Sequence, residues 1–194
     1  MSQLKYYRAN QRPRRRKNTW GGGHAARLHA RQRLRDATRH SASPAVTDSV
    51  LILYGPNLDM LGKRQAEIYG SEMLADVEAL CGRSGAELGI AIDFRQSNAE
   101  HELIDWIHDG REHAAGIAIN PAAYSHSSIA IMDALTACSC PIIEVHITNI
   151  HRRESFRHHS YVSEVPSAVI CGCGIEGYAL ALRRLASLLG RAPA

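Results

Sequence analysis

Residues 50–70 read Val-Leu-Ile-Leu-Tyr-Gly-Pro-Asn-Leu-Asp-Met-Leu-Gly-Lys-Arg-Gln-Ala-Glu-Ile-Tyr-Gly, and the change of character along this stretch decides the fold. Val50 to Leu53 is an unbroken aliphatic run closed by Gly55-Pro56, the pattern of a strand buried on both faces that reaches the edge of its sheet. The continuation from Gly55 to Gly70 is too polar and too rich in glycine for a core. Asn57, Lys63, Arg64 and Tyr69 lie within it with no sustained period. In an open α/β sheet, a long loop directly after a buried strand lies at the ligand crevice.

Downstream the pattern repeats. The spacing predicts a helix from Ser71 to about Gly82, with Leu74, Val77, Leu80 and Cys81 on one face and Ser71 as its N-cap. Ala91 to Arg95 is a short strand that empties into Gln96-Ser-Asn98. Glu100 to Asp109 presents Leu103, Trp106 and Ile107 on one helical face, with Gly110 as the stop. Gly116 to Ile119 is the third strand, ending at Asn120-Pro121, and Ser127 or Ser128 caps a helix running towards Cys138. Pro141 to Ile147 is the fourth and runs into Thr148, Asn149, His151, Arg152 and Arg153. Ser167 to Cys171 is the last, leading through Gly172 and Gly174 into a helix with Tyr178, Leu182, Leu185 and Leu189 on one face, ended by Gly190. Strands alternating with helices imply right-handed β-α-β units. The expected fold is therefore a flavodoxin-like, doubly wound, five-stranded parallel sheet of order 2-1-3-4-5, whose polar strand ends converge on one rim.

The net charge of +4 conceals two opposite regions. Residues 1–46 hold 12 of the 23 Lys and Arg but one acid, Asp36; residues 47–194 hold the other 11 against 18 acids. The basic arm, with Arg12-Pro-Arg-Arg-Arg-Lys17 and Gly21-Gly-Gly23, has almost nothing to bury and is expected to be a disordered extension, followed by a folded flavodoxin-like domain over 47–194. It is open to three functional readings: a nucleic-acid-binding tail, an Arg-rich targeting segment, or sequence translated from upstream of a native start near Val46. A bland solvated tail is the fourth. No apolar run approaches the ~20 residues needed to cross a bilayer.

Five separated motifs carry a resemblance. Gly55-Pro-Asn-Leu58 with Gly62-x-Arg64 and Tyr69-Gly70, then Phe94-Arg-Gln-Ser-Asn98, then Ile119-Asn-Pro121 with Tyr124-Ser-His126, then Ile143-Glu-Val-His-Ile147, then Glu154-x-Phe-Arg-His-His-Ser160 occur in this order. From about Val50 to Leu189 the chain resembles type II 3-dehydroquinate dehydratase. The resemblance implies anti elimination of water from 3-dehydroquinate to 3-dehydroshikimate through an enolate, in the shikimate pathway of aromatic biosynthesis or in quinate catabolism. It implies no cofactor or metal, and a cytoplasmic enzyme. Carried over residue by residue, Tyr69 is the base and Arg64 the cation that makes a phenol basic near neutral pH. Asn57 stabilises the enolate through a water, His146 is the acid that protonates the leaving hydroxyl, and Glu144 orients it. Asn120, His126, Ile147, Thr148 and Arg157 bind substrate; Arg153 is a loop arginine close to the site. Asp133 reaches a neighbouring subunit's site in a trimer, four of which form a homododecamer.

Taken singly, these residues have plainer readings: Tyr69 as a packed or surface tyrosine, Glu144 and His146 as a strand pair at a rim. His151, His158 and His159 read as surface or supporting residues. The pairs Cys138/Cys140 and Cys171/Cys173 lack the spacing of a metal site and, with Cys81, read as buried or semi-buried free thiols. The chain departs from the family pattern at Tyr54, Asp59, Gln65, Ala66, Ala122 and Met132, where members commonly carry Asn or His, Asn, Glu, Pro, Gly and Arg. A flavin or nucleotide module would share the fold, but the first loop has neither G-x-G-x-x-G nor Walker spacing. A nucleic-acid-binding protein would rely on the arm alone.

Overall fold

The computed structural model describes residues 47–63 and 71–191. The expectations for residues 1–46, and those for Arg64 and Tyr69, fall outside them. Strands β1 (Thr47–Tyr54), β2 (Ala91–Gln96), β3 (Ala114–Asn120), β4 (Ile142–His146) and β5 (Ala168–Cys171) alternate with helices α1 (Leu74–Leu88), α2 (Glu100–His113), α3 (Ile129–Thr136) and α4 (Glu176–Leu188). Every strand pairing is parallel and the order is β2-β1-β3-β4-β5, the flavodoxin-like arrangement expected.

Side chains alternate across the sheet because the strand period is two. Val50, Ile52, Tyr54, Ala118, Ile143 and Val145 face α1 and α4, where Val77, Cys81, Tyr178, Leu182 and Leu185 meet them. Leu51, Leu53, Ile117, Ile119 and Ile142 face Leu103, Ile107, Ile131 and Leu135 of α2 and α3. Each aliphatic side chain buried in this way stabilises the fold by about 1.5–3 kcal/mol. The same alternation sends successive residues at each strand tip to opposite faces, so the rim receives groups from both layers.

Four helix ends differ from the sequence reading. Helix α1 starts at Leu74 rather than Ser71, because Asp76 reaches back and its Oδ2 accepts the Met73 N–H at 2.8 Å. It then continues past Gly82 to Leu88 and ends at Gly89, whose φ is +64°. Gly85 is a packing residue: a Cβ there would lie 2.6 Å from Ile92 Cγ1. Helix α2 likewise runs through Gly110 to His113, and a Cβ on Gly110 would lie 2.7 Å from Leu51 Cδ2. These glycines let helices approach the sheet instead of stopping them. Helix α3 is capped by Ser128, which accepts the Ile131 N–H at 2.9 Å, and ends at Thr136, short of Cys138.

All five cysteines are unpaired. Cys81 is fully buried, and burial with the nearby Glu78 pushes its thiol up to about 12. Cys173 is exposed, not semi-buried. Among the described residues no cluster of three or more His, Cys, Asp or Glu could hold a metal ion, and no helix is long and apolar enough to cross a membrane.

Candidate active site

The tips of β1, β3 and β4 and the turns after them enclose a cleft of about 220 Å³. The Gly55 N–H donates to the Asn120 carbonyl at 2.8 Å. A Cβ at Gly55 would stand 2.5 Å from the Pro121 carbonyl oxygen, so glycine is what allows the two strand tips to close on each other.

His146 is the last residue of β4 and Glu144 lies two positions before it on the same face. Glu144 is completely buried, and its Oε1 stands 2.8 Å from His146 Nε2. A carboxylate offers no proton of its own, so Nε2–H is the donor and Nδ1 is the ring nitrogen left for the cleft. Two serines complete the carboxylate's shell. Ser160 Oγ donates to Oε1 at 3.1 Å and Ser163 Oγ donates to Oε2. Ser160 Oγ also accepts the Ser163 N–H at 3.1 Å, and the Tyr161 N–H is fastened to the Ser125 carbonyl at 2.9 Å. A carboxylate shut off from water requires donors of this kind, and here it has three.

His126 stands across the cleft with Nδ1 2.7 Å from the His159 carbonyl. Burial, opposed by that carbonyl and reinforced by the Arg157 cation, holds its pKa below the ordinary 6.5. The ring is therefore neutral at neutral pH; Nδ1 carries the proton and Nε2 is an acceptor. Asn120 is 3% exposed and its Oδ1 accepts the Ala122 N–H at 3.1 Å. Ala122 itself sits at φ +52°, a conformation that suits the glycine common in its place.

On the other side Asn57 sits at φ +64° directly after β1, exposed, with its N–H held by Asn98 Oδ1 at 2.7 Å. Asn98 also accepts the Tyr124 hydroxyl on its carbonyl at 2.9 Å, so it ties the first loop to the turn after β3. The far wall is cationic. Arg157 Nε donates to Glu154 Oε2 at 3.0 Å, and Arg153 Nε lies 3.5 Å from the same oxygen. Glu154 has its pKa lowered by its own backbone N–H first, and by the two arginines after that.

Of the residues expected from sequence, Asn57, Asn120, His126, His146, Ile147, Thr148 and Arg157 line this cleft together, and Arg153 joins them. Glu144 stands behind His146 rather than in the wall. Asp133 does not come to the cleft of its own chain: it is exposed on α3. Arg64 and Tyr69 lie outside the described residues. Sequence reasoning assigned no role to Ser160, Ser163 or Asn98. The Ser-x-x-Ser spacing after the histidine-rich turn was the available signal for the first two.

Comparisons with known proteins identify the family. Residues 48–186 match the family model described as dehydroquinase class II. A Methylobacterium radiotolerans protein named 3-dehydroquinate dehydratase is 60% identical over 149 residues, which is 77% of this chain and all of that one. One of the same name from Streptomyces avermitilis is 62% identical over 148 residues, 75% of this chain and 93% of that one. The crystal structure of type II dehydroquinase from Propionibacterium acnes superposes with a TM-score of 0.71 at 45% identity, covering 73% of this chain and 98% of that one. A buried acid–histidine pair at the carboxyl ends of a flavodoxin-like sheet, together with these matches, shows that the chain belongs to the class II dehydroquinase family and is an enzyme of the hydro-lyase class.

Proposed function

We propose that the cleft removes water from 3-dehydroquinate by anti elimination, giving 3-dehydroshikimate through an enolate. The observation that carries this reading is His146, held by a buried carboxylate through Nε2 so that Nδ1 serves the cleft. Elimination from a β-hydroxy ketone needs a base for the proton α to the carbonyl, stabilisation for the enolate oxygen, and an acid for the departing hydroxyl. Tyr69, made basic by Arg64, takes the α proton. Asn57, fixed by Asn98, holds a water against the enolate oxygen. His146 enters this step with a proton on each ring nitrogen: Nε2–H stays on Glu144, and the Nδ1 proton goes to the hydroxyl, which leaves as water while the double bond forms and the ring is left neutral. Arg157 suits the substrate carboxylate or ring hydroxyls because its planar fork donates in pairs. The neutral His126 offers Nε2 to a hydroxyl. Every step is an acid, base or hydrogen-bond step, so the scheme calls for no cofactor.

The reaction serves either aromatic biosynthesis or quinate breakdown. Residues 47–194 form the catalytic unit in this reading, since 149 residues of the chain span a whole relative. The exposed Asp133 fits a role in a neighbouring subunit's site, and a trimer built into a homododecamer is the corresponding assembly. Adding 3-dehydroquinate should produce growing enone absorbance that neither a chelator nor borohydride suppresses. No absorbance, or loss with either reagent, refutes the scheme; a fully active monomer by light scattering refutes the role of Asp133.

A further inference from the structure

Asn120 has one amide proton to spare for a ligand, and its aim is settled from behind the cleft. The Ala122 N–H can only donate, so the Asn120 atom that receives it at 3.1 Å is Oδ1. This fixes the amide's orientation. Nδ2 then points down into the sheet layer and donates to the Tyr178 hydroxyl at 2.7 Å, a contact buried on both sides and 58 residues apart in sequence. One Nδ2 proton is consumed there, and the other is left for the cleft that Asn120 lines.

Tyr178 belongs to α4, is wholly buried and is absent from the cleft wall. Its ring stacks on Tyr54, with centroids 4.8 Å apart and planes 22° from parallel. Tyr54 packs in turn on Phe94 at 4.6 Å. The Tyr54 hydroxyl is also buried; it makes no hydrogen bond of regular geometry among the described residues, and the group it is coupled to is the Tyr178 hydroxyl itself. Burial keeps both phenols protonated well above their ordinary range. The two neighbouring tyrosines are equally buried, but only the Tyr178 oxygen holds Asn120; Tyr54 can act on the amide only through Tyr178.

We propose that Tyr178 is a positioning residue for substrate binding, its hydroxyl holding the Asn120 amide so that the remaining Nδ2 proton faces the substrate. The proposal rests on Asn120 being a substrate-binding residue. Deleting the hydroxyl leaves a buried amide proton without an acceptor, and the amide regains freedom to rotate away from its aim. The ring stack is preserved in Phe, so the packing contribution stays.

The test uses the full chain with 3-dehydroquinate and compares Tyr178→Phe, Tyr54→Phe and Asn120→Ala. Tyr178→Phe is expected to raise KM roughly tenfold, the scale of one unsatisfied buried donor, with kcat within about twofold. Tyr54→Phe, which removes only a neighbour of that hydroxyl, is expected to leave kcat unchanged and to raise KM well below the rise in Tyr178→Phe. An unchanged KM in Tyr178→Phe alongside a raised KM in Asn120→Ala overturns the proposal and leaves the function standing. An unchanged KM in Asn120→Ala removes Asn120 from binding, and the proposal with it. An equal rise in Tyr54→Phe, a residue without a bond to Asn120, means that the direct Tyr178–Asn120 bond does not set the effect and overturns the proposal. Should Tyr178→Phe melt too low to assay, the ¹⁵N-labelled wild-type protein decides: one Asn120 side-chain proton must exchange with solvent far more slowly than the other, and equal rates overturn the proposal.

Discussion

The two walls of the cleft are built to different standards. On the β4 side, His146 and Glu144 sit on a strand, are almost wholly buried, and are locked by two serines from a turn that is itself hydrogen-bonded. On the β1 side, Asn57 is exposed at a positive φ and one side-chain contact from Asn98 holds its N–H. The first wall supplies an acid whose orientation must not vary. The second supplies Asn57 on an exposed turn that rests on that one contact. Substitutions should therefore separate the walls by whether they remove stability, activity or both.

The largest effects fall on the proton-transfer groups. Tyr69→Phe and His146→Ala should each lower kcat by ~10²–10⁴ with KM little changed. They differ from Arg64→Ala, which leaves the phenol but raises its pKa, so its activity should recover in part as pH rises towards ~10. A pH–rate profile for each variant checks this, and a near wild-type Tyr69→Phe would move the base elsewhere. Next comes Glu144→Ala, which should hurt folding as well as turnover. It strands His146 Nε2–H and both serine hydroxyls, and a buried donor left without its acceptor costs about 1–3 kcal/mol. Denaturant melts that match wild type would contradict the rigid-wall description.

On the loop wall, Asn98→Ala should reduce kcat by about tenfold through loss of a single orienting hydrogen bond, while stability changes by under about 1 kcal/mol. Asn98→Asp keeps the acceptor for the Asn57 N–H and should restore most of the rate. If Asp behaves like Ala, the clamp is not what positions Asn57. The smallest effect is a gain. Ala122→Gly relieves a non-glycine residue at φ +52° and should add about 1 kcal/mol, read as a rise in thermal midpoint of about 2–4 °C.

The sheet was legible because its strands are largely aliphatic runs: β3 and β4 end in Asn120 and His146, β1 is followed within three residues by Asn57, and a strand end marks the crevice irrespective of chemistry. The helices were legible by period but not by extent. Gly82, Gly85 and Gly110 look like stops in one dimension, and only the packed structure distinguishes a glycine that ends a helix from one that brings it within reach of Ile92 or Leu51. The site's supports were the least legible part. Ser163 meets Glu144 across 19 residues, Asn98 meets Asn57 across 41 and Tyr178 meets Asn120 across 58, so no local pattern records them. The family resemblance supplied the reacting groups, and the fold supplied what holds them.

The thiols also make the molecule a reporter of its own opening. Cys173 is exposed and open to a thiol reagent at all times, whereas Cys81 is sealed under α1 in the same core cluster as Tyr54 and Tyr178. A thiol both inaccessible and pushed up to about 12 cannot react until that layer parts. With reagent in excess, the labelling of Cys81, followed by peptide mass apart from the partly exposed Cys138, Cys140 and Cys171, is therefore a clock for the separation of α1 from the sheet. Its rate reads out, without ligand or spectroscopic probe, how firmly the layer beneath Asn120 is closed.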